Sequence, residues 1–228
     1  MTEPGYSRDA FAADSNVSRE TLARLDRYAT MLVAMQETMN LVAPSTLDDL
    51  WRRHMLDSWQ LIPLFPEEAR RFVDIGSGAG FPGLVIAIWL TEANRPGAEI
   101  HLYESTQKKA AFLQSVADAL ALPAVVHATR AESAKVPPAD VITARACAPL
   151  TRLLGYARPF WGPHSVGFFP KGQRVGEELT EAATSWKIVA LPIPSRSDPT
   201  GTILQVKGFA RVAHRPQSRP RPGQRPPR

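Results

Sequence analysis

The chain has 228 residues, 44% hydrophobic and 21% charged, enough apolar material for a sizeable core and too much for a disordered protein. Its net charge of +5 is concentrated at one end: six of the 27 basic residues (Arg211, Arg215, Arg219, Arg221, Arg225 and Arg228) follow Ala210 with no acidic residue among them. The 210 residues before them carry 21 basic against 22 acidic groups, so bulk charge is no argument for a nucleic-acid partner of the body.

Residues 1–17 read as a flexible leader without the apolar core of a signal peptide. Ser18 is a helix N-cap, and Leu22, Leu25, Tyr28, Leu32, Met35 and Met39 follow at close to the 3.6-residue period, a core-packing stripe ending near Asn40. After Pro44, Ser45 caps a second helix carrying Leu47, Leu50, Trp51 and Leu56, with Arg52, Arg53 and His54 on its other face. These two helices make a cap over 18–66.

From residue 67 the pattern becomes strand–helix alternation. Strands are expected at Arg71–Gly76, Ile100–Glu104, Val125–His127, Asp140–Arg145 and Ser165–Phe169, with helices at Gly83–Leu90, Thr106–Ala119, Pro149–Ala157 and Glu177–Thr184. Trp186–Leu191 and Thr202–Phe209 pair as a closing antiparallel hairpin. Such alternation predicts an open, mostly parallel α/β sheet over 67–210, forming one unit with the cap. Residues 211–228, six Arg and five Pro, read as a disordered tail. The longest apolar run, Leu84–Leu90, is far short of the roughly 18 residues of a membrane span, and the expected compartment is the cytoplasm. The single cysteine, Cys147, excludes an internal disulfide framework and a cysteine-rich zinc site, and reads as a small buried hydrophobe. No cluster has metal-ligand spacing, so no metal is expected.

Ligands in open α/β sheets lie at the carboxyl ends of the strands, which here are Asp74–Gly83, Glu104, the segment after Val126, and Arg145. The first is rich in glycine: Gly76, Gly78, Gly80 and Gly83. Counted from Gly78 it fits the dinucleotide spacing G-x-G-x-x-G, a pattern weak by itself. Asp74 ahead of the glycines favours a ligand carrying an ammonium group and adenosine over a pyrophosphate, which the carboxylate would repel. Glu104 stands where it can accept hydrogen bonds from both ribose hydroxyls, and Phe81 is a candidate wall of the site.

Six short blocks in order carry a family resemblance over Leu25–Phe209: Asn40-Leu41 with Arg53-His54-Met55-Leu56-Asp57-Ser58; Phe72 to Gly83; Glu104-Ser105 with Lys108-Lys109 and Phe112-Leu113; Arg130-Ala131-Glu132; Arg145-Ala146; and Lys171-Gly172. The chain resembles the bacterial 16S ribosomal RNA guanine-N7 methyltransferases, also called glucose-inhibited division protein B. The resemblance implies a Rossmann-like class I methyltransferase with a seven-stranded sheet, S-adenosylmethionine as cofactor, and 16S rRNA or the assembling small subunit as partner of a monomer. It implies Gly76 and Gly78 against the methionine part, Phe81 on the wall, Glu104 at the ribose, Ala131 and Glu132 at the adenine, and Arg145 at the methyl end. Two positions depart from the family pattern: Ala144 replaces a serine and Pro170 a leucine.

Guanine N7 carries a lone pair and no proton, so its methylation needs alignment and no general base. Arg145 and Lys171 are therefore cast as binders of RNA or of guanine O6, and His54 as structural despite Asp57 nearby. Arg52, Arg53, Lys108, Lys109, Arg152, Arg158 and Arg174 are candidate RNA-facing charges. Three rival readings remain: a methyltransferase acting on another substrate, a nicotinamide-dependent oxidoreductase, for which no Tyr-x-x-x-Lys relay is present, and a non-catalytic RNA-binding module.

Overall fold

The computed structural model describes residues 6–212. Seven strands form one sheet: β1 (Arg71–Ile75), β2 (Glu99–Tyr103), β3 (Ala124–His127), β4 (Val141–Thr143), β5 (Val166–Lys171), β6 (Trp186–Pro194) and β7 (Thr202–Arg211). Their order is β3-β2-β1-β4-β5-β7-β6. The first five run parallel, and β7 is antiparallel to both neighbours. The order reverses between β1 and β4, which opens a crevice at their carboxyl ends.

Among the described residues seven α-helices accompany the sheet: α1 (Arg8–Ser15), α2 (Arg19–Gln36), α3 (Asp57–Trp59), α4 (Gly83–Leu90), α5 (Gln107–Ala119), α6 (Leu150–Ala157) and α7 (Val175–Ala183). Helix α4 (GLVIAIWL) is buried at every position but Trp89, because the sheet covers one side and the cap the other. Leu22, Leu25 and Leu32 of α2 accordingly share one hydrophobic cluster with Phe72 of β1 and with α4. The cap thus shares a core with one face of the sheet, while a second cluster that includes Val73, Ile142 and Leu154 fills the other.

Three expectations are corrected here. The leader is not loose over its whole length: Ser7 caps α1 by accepting from the Ala10 N–H, and α1 buries Phe11 completely between Trp51 and Trp59, at centroid distances of 5.3 and 6.0 Å. Ser45 caps no helix. It lies within a 3-10 turn (Pro44–Thr46), and the segment Trp51–Leu56 winds as a wide π turn running into α3, the Asp57 N–H reaching back to the Arg52 carbonyl. The wider turn takes His54 off the exposed side and buries it, while Arg52 and Arg53 stay outside. Lastly, Arg211 belongs to β7 and not to a tail: it pairs with Trp186 in the sheet and lays its guanidinium over that indole at 4.3 Å. The remainder of the expected tail, apart from Val212, lies outside the described residues.

Strand ends also differ. β4 stops at Thr143, two residues before Arg145, and the Asp140 carboxylate before it accepts from the Arg70 and Arg71 amides. β5 continues through Pro170 to Lys171, and β6 runs on to Pro194, which its place at the sheet edge tolerates.

Candidate active site

The crevice holds a cavity of about 1080 Å³. A second hollow of about 180 Å³ adjoins it, the two sharing Gly76, Glu104, Ser105 and Cys147. The loop after β1 forms the floor. Gly76, Gly78 and Gly80 have φ of +67°, +56° and +105°, a region closed to most side chains. The Gly76 and Ser77 amides donate to the Tyr103 carbonyl at the end of β2, at 2.9 and 3.1 Å. The Gly78 amide donates to Glu104 Oε2 at 3.0 Å, and the Thr106 amide to Oε1 at 2.7 Å. Both oxygens of Glu104 keep lone pairs for a further donor such as a ribose diol.

Asp74 does not face the cavity, contrary to the expectation that it meets the ligand. It is fully buried behind the loop, where Oδ1 accepts from the Thr143 hydroxyl at 2.8 Å, and burial pushes its carboxyl up to about 6. Gly83 makes room for it, since a Cβ there would stand 2.7 Å from Oδ2. The acid braces the loop from behind.

The expected site residues converge. Gly76, Gly78, Phe81, Glu104, Arg145 and Lys171 line the large cavity, and Gly76, Glu104, Ala131 and Glu132 line the smaller. The site fits S-adenosylmethionine: a Cβ on Gly78 would meet only the Gly76 carbonyl, at 3.7 Å, so the loop backbone lies open to a ligand with a free carboxylate beside it.

Arg145 ties the site to the cap. It donates to the Arg53 carbonyl at 2.8 Å and to His54 Nδ1 at 2.7 Å, pairs with Asp57 Oδ2 at 3.4 Å, and lies over the Phe81 ring at 5.2 Å. The Thr46 hydroxyl donates to the Ala43 carbonyl, so His54 Nε2, 2.8 Å away, carries the proton and donates to Thr46. Burial, with Arg145 and Arg53 nearby, holds His54 down at about 3, so it is a neutral structural group at working pH. Asp57 Oδ1 accepts from Ser197 at 2.6 Å and Gln60 at 3.0 Å, and Gln60 Oε1 accepts from the Arg196 amide, which fastens the β6–β7 loop onto the cap. Lys171 pairs with Glu178 at 2.8 Å and donates to the Ala148 carbonyl at 3.1 Å. Arg145 and Lys171, expected as binders of RNA or of guanine O6, are thus each paired with a carboxylate of the protein itself.

Cys147 also departs from expectation. It is only partly buried and lines both hollows; burial, with Asp74 and Glu104 nearby, raises its thiol to about 11. Of the expected RNA-facing cations, Arg53, Lys109 and Arg174 line the cavity mouth, while Arg52 covers Tyr6 and Arg152 bonds to the Tyr156 hydroxyl. Lys108 and Arg158 are exposed and line neither hollow. Sequence reasoning missed Ser195, Ser197 and Asp198, which reach the cavity from a loop with no motif of its own. Among the described residues no helix is long and apolar enough to cross a membrane, and no group of side chains is arranged to hold a metal.

The fold is shared with solved structures of other proteins. An O-methyltransferase from Bacillus cereus in complex with SAH aligns with a TM-score of 0.56 at 16% identity, covering 87% of this chain and 96% of that one. A variant of MtNAS in complex with S-adenosylmethionine aligns at 0.53 and 13%, covering 88% and 84%. The family model described as GidB, rRNA small subunit methyltransferase G, matches residues 21–195. Proteins named ribosomal RNA small subunit methyltransferase G are 50% identical in Parvibaculum lavamentivorans, over 93% of this chain and 92% of that protein, and 48% identical in Rhodospirillum centenum, over 92% and 94%. Fold, site and family together define a class I S-adenosylmethionine-dependent methyltransferase. The chain belongs to the rRNA small subunit methyltransferase G family.

Proposed function

We propose that the chain, acting as a cytoplasmic monomer, methylates N7 of a guanine in a loop of the 16S rRNA decoding region, on naked rRNA or on the assembling subunit. S-adenosylmethionine supplies the electrophilic methyl group. In this reading Gly76 and Gly78 hold its methionine part, Glu104 its ribose, Ala131 and Glu132 its adenine, while Phe81 and Arg145 close the methyl end. A looped-out base suits the open cavity, because the major groove of an RNA duplex is too deep and narrow to present N7.

The observation that carries the reading is the pairing of both site cations, Arg145 with Asp57 and Lys171 with Glu178. Alkylation of N7 leaves positive charge on the guanine ring, and an unpaired cation beside it would oppose the reaction. With their charge already matched, Arg145 and Lys171 can orient the base through remaining N–H groups without that penalty. N7 has no proton to lose, so the neutral His54 and the protonated Cys147 have none to take. What the residues contribute is alignment and exclusion of water, and proximity of this kind is worth about 7–11 kcal/mol.

Tritium transfer from labelled cofactor, compared between naked 16S rRNA, small subunits and total protein, tests this. Label in the RNA, released as 7-methylguanine, is the expected result. Label in protein alone, or at another RNA position, would exclude it.

A further inference from the structure

Phe81 stands in the loop after β1, yet its ring is enclosed by the cap. Tyr28 of α2 lies 5.1 Å away, centroid to centroid, and His54 lies stacked at 4.8 Å. Tyr28 also reaches the loop's backbone: its hydroxyl, fully buried, donates to the Ala79 carbonyl at 2.7 Å. Ala79 stands between Gly78 and Gly80, two of the three residues whose positive φ shapes the turn. The fit is close, since a Cβ on Gly80 would come within 2.8 Å of Tyr28 Oη. The other ties of the turn come from the sheet, through Tyr103 and Glu104, and from its own neighbourhood: the Gly80 amide donates to the Ser77 carbonyl, the Ser77 hydroxyl to the Asp74 carbonyl, and the Leu84 amide to the Gly80 carbonyl. Among the described residues, Tyr28 makes the one side-chain hydrogen bond from the cap to this backbone.

We propose that Tyr28 is a positioning residue for the cofactor, fixing the Gly76–Gly83 loop from the cap through the Ala79 carbonyl and the Phe81 ring. The proposal rests on placing S-adenosylmethionine against Gly76, Gly78 and Glu104. A buried carbonyl without a partner is costly, so the Ala79 peptide would turn to find water once the hydroxyl is gone. The glycines on either side resist that rotation little. The loop would then spend only part of its time in the binding conformation, and apparent affinity falls by that fraction. On this account the cap belongs to the cofactor site, and Tyr28 acts on the cofactor through the loop without touching it.

The test uses the full chain with Tyr28→Phe, which keeps the ring and removes the hydroxyl. Kd for S-adenosylmethionine by calorimetry and its KM should both rise about fivefold, the worth of one buried hydrogen bond. The KM for RNA and kcat at saturating cofactor should stay within about twofold, a split that general destabilisation would not give. Phe11→Leu is the control: it loosens the cap at Trp51 and Trp59, away from the loop, and should lower Tm while leaving cofactor affinity unchanged. Unchanged affinity in Tyr28→Phe, or an equal loss in Phe11→Leu, overturns the proposal alone. Binding by the wild type that Gly78→Val and Glu104→Ala leave intact overturns the placement of the cofactor as well.

Discussion

Replacing Gly76 by alanine puts a methyl group where the fold has no room for one. Its Cβ would stand 2.5 Å from the Cys147 sulfur and 3.0 Å from the Cys147 Cβ, on a backbone with φ +67°. The left-handed conformation costs an L residue about 1–2 kcal/mol, and forcing a methyl group into filled space costs about 1–3 kcal/mol more. The expected loss is therefore about 2–5 kcal/mol, and only the steric part depends on Cys147. Cys147→Ala removes the sulfur and leaves the tight but softer Cβ contact. The double variant should recover about 1–2 kcal/mol over the sum of the single losses, within the range usual for residues in contact. Urea unfolding of the four proteins measures the cycle, with S-adenosylmethionine affinity followed alongside. Affinity should fall in Gly76→Ala and partly return in the double variant. Strict additivity, or a Gly76→Ala protein as stable as the wild type, would refute the packing argument.

Three further outcomes are expected. Arg145→Lys keeps the charge, but an ammonium cannot span Arg53, His54 and Asp57 as the guanidinium fork does, so urea unfolding should register a loss of about 1–3 kcal/mol. Arg53→Ala and Arg174→Ala, at the cavity mouth, should each reduce the salt slope of RNA binding by about 1, whereas Lys108→Ala should leave it unchanged in filter binding. His54 stays neutral in the folded chain down to about 3, while the unfolded chain binds its proton near the ordinary histidine value of 6.5. Unfolding thus takes up a proton between those values, and stability falls as pH drops through that window, at up to about 1.4 kcal/mol per unit. Asp74, raised from 3.8 to about 6, works oppositely between its two values, where unfolding releases a proton. The difference between wild type and His54→Gln isolates the histidine, and the variant should lose less stability on acidification. Equal slopes would contradict the buried neutral assignment.

The parts of this protein legible in its sequence are those where short-range chemistry decides. Glycines at 76, 78 and 80 announce a turn of positive φ because few other residues tolerate it, and Leu84–Leu90 announces a buried element by its continuous apolar run. The cavity-lining positions from Gly76 to Arg145 were accessible through their ordered motifs. Legibility ended where long-range packing decides. Phe11 sits in a segment polar enough to pass for a leader, and only the distant Trp51 and Trp59 make its burial worthwhile. His54 appeared to share a face with Arg52 and Arg53 because an ordinary helix was assumed, whereas the π turn rotates it inward. The Asp57–Ser197 and Tyr28–Ala79 contacts join residues 140 and 51 positions apart, and no local pattern reports such pairs. Asp74 shows the opposite failure: its place in the motif was correct, but its carboxylate turns into the core and away from the ligand.

The most direct test is nucleoside mapping. Small subunits lacking the modification would be incubated with the purified chain and S-adenosylmethionine carrying a deuterated methyl group, and the 16S rRNA digested and sequenced by mass spectrometry. A single labelled 7-methylguanosine in a loop fragment of the decoding region is the predicted result. Label on a ribose, on another base or on guanines throughout the RNA, or none at all, would contradict the account.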